Sequence, residues 1–253
     1  MRPAGWAAIA AAGFARYHEV APTSQLYGRT VCRARGVPGA VALTFDDGPN
    51  VSSTEPLLEL LEDQGARATF FVIGGFAERE PGLVREITAR GHALGNHTYS
   101  HPRLPWRRAA ALRNELARTR AAVETAGAHL SDIDGAELMR PPYGHRRPGT
   151  LRVVRAEGYV PVMWSITCYD WRRTTSARAI ARRGSRARAG DIVLLHDGSN
   201  HGIDIDRSRT VAATERILDR LGERGLRFAT VPELVGAVAA HFSHLQVGKT
   251  RSD

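Results

Sequence analysis

The sequence predicts an α/β protein folded as one domain, a closed or partly closed barrel with about seven parallel strands. Three observations carry that prediction. Short apolar runs alternate with longer amphipathic segments through most of the 253 residues, as they do when strands and helices take turns in a parallel sheet. Glycines stand at the ends of the amphipathic segments, where a helix C-terminus favours a left-handed residue. Ionisable side chains stand just past the ends of five of the apolar runs, and they meet only if the C-terminal ends of those strands surround one centre.

The apolar runs are 41–45, 68–73, 92–95, 138–139, 160–166, 192–195 and 227–231. Helical segments lie between them at 55–64, 81–90, 106–126, 150–157, 176–188 and 211–224, several closed by Gly65, Gly91, Gly127, Gly158 or Gly225. Asp46 and Asp47 follow the first run, His97 and His101 the third, Arg140 the fourth, Asp170 the fifth and His196 the sixth. An open doubly wound sheet also satisfies the alternation. The barrel is preferred because it collects all these strand ends at one mouth. No repeat or low-complexity linker divides the chain, so 41–236 reads as one unit, preceded by a lead (1–40) and followed by a tail (237–253).

Composition narrows the function classes. A hydrophobic content of 43% supports an ordinary core and excludes a disordered or collagen-like chain. Cys32 and Cys168 are the only cysteines, which excludes a cysteine zinc cluster and leaves a single disulfide open. The net charge of +9, from 35 basic and 26 acidic residues, directs attention to polyanions. Lys249 is the sole lysine, however, and the densest basic run, seven arginines in 172–188, has no interleaved aromatic residue. That run reads as a solvated helix face, and no specific nucleic-acid partner is expected.

No stretch of the sequence is apolar for long enough to span a membrane. The uncharged, alanine-rich residues 3–15 fit the apolar region of a signal peptide behind Arg2, with Ala12, Gly13 and Ala15 as cleavage residues. They equally fit the remnant of an anchor, or a helix that packs on the domain. A secreted or cell-envelope location is expected, with the cytoplasm as the alternative, and membrane association is expected only through this segment.

Thr44-Phe45-Asp46-Asp47-Gly48-Pro49 ends the first strand with adjacent carboxylates. Neighbours in a strand point to opposite faces, so these two share a site only if the chain turns there, and Gly48 with Pro49 supplies a turn. By itself the segment also reads as an Asp-Gly turn with capping carboxylates. His97-Thr98-Tyr99-Ser100-His101 sets two imidazoles four apart, on one face if the segment is helical. That spacing suits two ligands of one divalent metal, and an aspartate from elsewhere would complete a set that leaves a position open for water. A lone pair of this kind is also ordinary surface sequence. Arg140-Pro141-Pro142-Tyr143-Gly144 places an arginine at a strand end before a loop stiffened by two prolines, which can hold a backbone N–H toward a developing oxyanion or simply form a turn. Asp170-Trp171 and Leu194-Leu195-His196-Asp197 end two further apolar runs with polar groups.

In this order the five segments resemble the polysaccharide deacetylases of carbohydrate esterase family 4, which share the nodulation-factor deacetylase homology domain. The resemblance spans roughly residues 41–234, and four of the five family motifs match. It implies a distorted (β/α) barrel that uses one divalent metal, usually zinc, to hydrolyse N-acetyl groups from amino-sugar polymers. Two imidazoles and a carboxylate suit zinc and also accept cobalt or nickel. By the resemblance, Asp47, His97 and His101 are the metal ligands and Asp46 is the catalytic base. Arg140 pairs with the base, Tyr143 gives a backbone N–H to the oxyanion hole, His196 is the catalytic acid and Asp170 orients it. Trp171 and Leu194 wall the acetyl pocket.

The fourth motif departs from the family: Thr167-Cys168-Tyr169-Asp170-Trp171 carries Thr167 where the family has an aspartate. The substrate therefore stays open between a peptidoglycan-like or chitin-like glycan and a smaller N-acyl sugar or non-sugar amide. A catalytically silent glycan-binding barrel is the alternative from another class. The retained base and acid beside a metal-ligand set argue against it, because binding alone requires neither.

Overall fold

The computed structural model describes residues 3–35 and 39–236. Its strands are β1 (Ala40–Gly48), β2 (Ala68–Val72), β3 (Ala93–Asn96), β4 (Asp132–Ile133), β5 (Ala136–Met139), β6 (Tyr159–Pro161), β7 (Ile166–Thr167), β8 (Ile192–His196) and β9 (Arg227–Phe228). Its helices are α1 (Pro3–Val20), α2 (Thr54–Asp63), α3 (Gly74–Ala77), α4 (Pro81–Ala89), α5 (Ala109–Thr125), α6 (Pro148–Ala156), α7 (Ala177–Gly184) and α8 (Ser208–Gly222). Seven strands run parallel in the spatial order β6-β5-β3-β2-β1-β8-β7. The expected α/β barrel is therefore present. β9 pairs with the start of β1, and β4 forms an antiparallel ribbon with β5.

β1 is the centre of the fold because it is covered on both faces, with every position buried. Val41, Leu43 and Phe45 pack outward with Leu57, Leu61, Ile217 and Leu218 from the surrounding helices. Ala42 points the other way, into a smaller cluster with Phe71, Leu138, Met163, Trp164 and Leu194. The same alternation operates in β8, where Val193 and Leu195 face the helices and Ile192 and Leu194 the interior. A strand buried on both sides must be apolar almost throughout, which is why these strands read as unbroken apolar runs.

The run 160–166, expected as one strand, divides into β6 and β7. Val162 N still donates to Met139 O on one side, whereas Ser165 N donates to Ile192 O on the other, so residues 162–165 cross the barrel mouth. The opening left between β6 and β7 is filled from the lead. Val31 N donates to Pro161 O at 3.0 Å, Met163 N to Val31 O at 2.6 Å, and Ala34 N to Gly190 O at 2.8 Å. Arg33 adds an ion pair to buried Asp191 at 2.6 Å. Residues 31–33 thus act as an additional stave.

Ser176 begins α7 with its side chain accepting from Ala179 N, a helix N-cap. The helix stops at Gly184, short of the expected 188. Its packing on α8 requires glycine there, since a Cβ at Gly184 would lie 2.4 Å from Ile217 Cδ1. The arginines of 172–188 are solvent-facing apart from half-buried Arg183, as expected of a solvated face. Both cysteines are free thiols. Cys168 belongs to the helix-side core and Cys32 packs against the interior one, so the disulfide that spacing left open is not formed. Among the described residues no helix is long and apolar enough to cross a membrane. The tail 237–253 lies outside the described residues.

Candidate active site

The site is assembled where β1, β3, β5, β7 and β8 end. Asp46 continues the inward series of Ala42 and Thr44, so its carboxylate points into the barrel mouth by strand alternation alone. Asp47 joins it because the chain turns at Asp47 itself, with φ 71°, and the β1–β2 register skips from Asp46 to Gly48. The turn therefore comes one residue before the Gly48–Pro49 turn that the sequence suggested. Two glycines make room for it: a Cβ at Gly48 would lie 2.0 Å from Asp197 Oδ2, and one at Gly198 would lie 2.0 Å from Asp47 O. Gly198→Ala should consequently displace the Asp47 backbone and lower stability by at least the ~1–3 kcal/mol of overpacking. An unchanged denaturation midpoint would show that the turn is not so confined.

His97 and His101 converge through a loop, which corrects the conditional helix of the sequence reading. Asn96 Oδ1 accepts from Thr98 N at 2.8 Å, and the Glu115 carboxylate accepts from Tyr99 N at 2.9 Å and Ser100 N at 2.8 Å. Those bonds replace helical ones and hold Thr98 and His101 at positive φ, 66° and 54°. His97 Nδ1 donates to Arg140 O at 2.8 Å, which leaves the Nε2 lone pair free to ligate. His97 Nε2 lies 3.4 Å and His101 Nε2 3.2 Å from Asp47 Oδ1.

Burial opposes ionisation of Asp47, but the side-chain contact with His97 and the neighbouring imidazoles of His101 and His196 outweigh it and hold the carboxyl well below its usual range. Burial, only partly offset by Asp47, pushes His101 down to about 3, so this imidazole is neutral with a lone pair to offer. Asp47 Oδ1 has no hydrogen-bond partner among the described residues. One carboxylate oxygen and two imidazole nitrogens within 4.8 Å of one another are a donor set for a single divalent metal ion. The residues present fit that ion.

Arg140 is fully buried, and its guanidinium makes four hydrogen bonds. It donates to Asp46 Oδ1 at 2.6 Å, Thr44 Oγ1 at 2.8 Å, Met163 O at 3.1 Å and Val162 O at 3.3 Å, and lies 4.1 Å over the Phe71 ring. Across the mouth, Asp170 takes both the backbone N–H of His196, at 2.7 Å, and the ring Nδ1, at 2.9 Å. Thr210 Oγ1 adds a third bond to this carboxylate at 3.1 Å. Burial opposes protonation of His196, but Asp170, with smaller contributions from Asp47 and Asp46, outweighs it and raises the imidazole to about 9. His196 is therefore a cation at neutral pH, with Nδ1 committed to Asp170.

Asp46, Asp47, His97, His101, Tyr143, Trp171, Leu194 and His196 line one cavity of about 590 Å³. Tyr143 stands in a tight turn at φ 58°, its ring edge-on to His101 with centroids 4.5 Å apart, and Trp171 packs edge-on to His196 at 5.1 Å. Arg140 and Asp170 sit behind the lining and reach it through Asp46 and His196. Thr167 Oγ1 accepts from the Trp164 indole N–H at 2.8 Å, so the departure from the family motif is absorbed into the cavity wall.

Sequence reasoning missed Asp197, Val20, Pro22, Asn200 and Arg207. Asp197, next to His196, accepts from Thr54 Oγ1 at 2.6 Å behind the Asp46–Gly48 turn, and burial raises its carboxyl to about 7. Asn200 Nδ2 donates to Tyr143 OH at 3.1 Å across the cavity rim, and Val20, Pro22 and Arg207 line the walls. No motif marks any of these; adjacency to His196 was the one available signal, for Asp197.

Comparison with known proteins agrees with this geometry. The polysaccharide deacetylase family matches residues 34–162. A peptidoglycan-N-acetylglucosamine deacetylase of Bacillus cereus is 36% identical over 77% of this chain and 87% of its own length. A chitooligosaccharide deacetylase of Azorhizobium caulinodans is 33% identical over 76% of this chain and 93% of its own. Among solved structures, a family 4 carbohydrate esterase from Streptomyces lividans in complex with acetate superposes with a TM-score of 0.69 at 34% identity, covering 78% of this chain and 96% of that one. With half of its length matched to the family and these relatives on either side, the chain belongs to the polysaccharide deacetylases.

Proposed function

We propose that the protein hydrolyses N-acetyl groups of an amino-sugar polymer or oligomer, peptidoglycan-like or chitin-like, to acetate and a free amine. The observation that carries this reading is the pairing of two locked groups beside one metal-ligand set: Asp46 held by Arg140, and His196 held by Asp170. Two relatives, a peptidoglycan-N-acetylglucosamine deacetylase and a chitooligosaccharide deacetylase, support the same substrate class.

Asp47, His97 and His101 would hold the metal ion, for which we propose zinc, with cobalt or nickel as working replacements. Such an ion supplies Lewis acidity, polarising the amide carbonyl and making water nucleophilic near neutral pH. Asp46 takes the proton of the attacking water, and Arg140 fixes the direction of its carboxylate. The backbone N–H of Tyr143 donates to the oxygen on which negative charge develops. His196 delivers its Nε2 proton to the departing nitrogen as the C–N bond breaks, while Asp170 holds Nδ1. Trp171 and Leu194 enclose the acetyl methyl. Because the uncharged, alanine-rich segment 3–15 suits export and a peptidoglycan substrate lies outside the plasma membrane, we place the enzyme at the cell envelope or beyond it, a placement that fractionation of the producing cells tests.

Acetate release from N-acetylglucosamine oligomers, peptidoglycan fragments and small N-acyl sugars, with and without chelator, tests the reading. The glycans should be deacetylated with release of acetate, chelator should abolish release and divalent metal should restore it. Purified protein should carry close to one metal equivalent. Occupancy below about a tenth, with no gain on adding metal, would defeat the metal-dependent mechanism. Release from small amides alone would move the substrate to the smaller class.

A further inference from the structure

The lead enters the active site before β1 begins. Glu19, in the last turn of α1, is buried; its carboxylate meets Arg16 at 3.0 Å and Arg147 at 3.2 Å, and its backbone oxygen accepts from Arg146 N at 3.1 Å. Arg146 is itself 1% exposed. Its guanidinium ends on three backbone carbonyls: Gly144 O at 3.1 Å, Ala21 O at 2.5 Å and Ser24 O at 2.9 Å. No carboxylate pairs with it among the described residues. A buried cation satisfied only by carbonyls is tolerable only where those carbonyls are fixed in place. Two of the three belong to the lead, and the third belongs to the turn that carries Tyr143.

Val20 and Pro22 flank this attachment and line the same cavity as His101, Tyr143 and Trp164. The family match begins only at residue 34, beyond this segment. We propose that residues 19–24 are a working wall of the substrate groove that sets glycan-length preference, and that Arg146 is the positioning residue holding this wall against the Tyr143 turn. The inference rests on the deacetylase reading above. Val20 and Pro22 offer C–H surface, which suits the apolar face of a pyranose ring. A wall of this kind acts on a sugar unit beyond the one whose N-acetyl group reacts, so its contribution grows with chain length.

The test uses the full chain with metal bound and N-acetylglucosamine oligomers from dimer to pentamer. Val20→Ala and Pro22→Ala should raise KM for the longer oligomers by about tenfold, as expected for a lost apolar contact. The dimer should be affected far less, and the loss should fall on KM rather than kcat. Arg146→Met should lower kcat at every length and speed amide hydrogen exchange in 20–24 and 143–146 together, with metal content unchanged; Arg146→Lys should recover part of both. Tetramer binding to the unaltered chain should protect the amides of 20–24 from exchange. Should Arg146→Met fail to fold, the Val20 and Pro22 variants and this protection decide the matter. An unchanged length profile in both alanine variants, or no protection of 20–24 by the tetramer, overturns the inference. Absence of acetate release from every oligomer by the unaltered chain overturns the deacetylase reading itself.

Discussion

Asp46→Asn should keep the metal and lose nearly all turnover. The amide oxygen can still accept the Arg140 bond now made at 2.6 Å, so the shape of the site is retained, but an amide cannot take the proton of the attacking water. Loss of a general base costs about 10²–10⁴-fold in rate. The substitution also leaves the buried Arg140 without a countercharge, and breaking a buried pair costs ~3–5 kcal/mol. Activity must therefore be compared at a temperature where both proteins are folded, with metal content measured alongside. A variant within about threefold of the unaltered enzyme, on the order of assay scatter, would make Asp46 a structural partner of Arg140 and nothing more.

The second large effect belongs to His196 and Asp170. His196→Ala removes the proton donor for the leaving nitrogen and should cost on the order of 10²–10⁴-fold. Asp170 raises the imidazole to about 9 against the opposing effect of burial. With Asp170→Asn, burial prevails, the pKa falls, and the basic limb of the pH–rate profile moves to lower pH. The sign for stability is the same. A group whose folded pKa is raised contributes stability fully present below its ordinary value of 6.5 and lost as pH rises through about 9. Asp170→Asn should lose stability in that lower range. Because both residues serve one proton transfer, Asp170→Asn with His196→Ala should be hardly slower than His196→Ala alone. Losses that multiply, or a basic limb that stays in place, would mean that Asp170 does not act through His196 and that the change at Thr167 has altered the site more deeply.

What the sequence determined by itself was whatever short-range chemistry encodes. Largely apolar runs such as 41–45 and 192–195 mark strands covered on both faces, and glycine-ended amphipathic segments mark the helices that cover them. Asp46, His97, Arg140, Asp170 and His196 were legible because each stands at the end of such a run, where a parallel barrel gathers side chains. Other features depend on partners far away along the chain. The run 160–166 is apolar apart from Ser165, yet it splits because Val162 and Ser165 find different strands, and residues 31–33 close the gap between them. His97 and His101 meet through a loop because Glu115, fourteen or more residues onward, takes the amides that a helix would have used. The wall formed by Val20 and Pro22 has no motif at all. It exists because a buried guanidinium at Arg146 must find its acceptors, and the nearest carbonyls belong to a segment more than a hundred residues earlier. Local patterning decides which residues are strand, helix or ligand; tertiary structure alone decides which distant backbone satisfies a buried charge, and with it the shape of the groove.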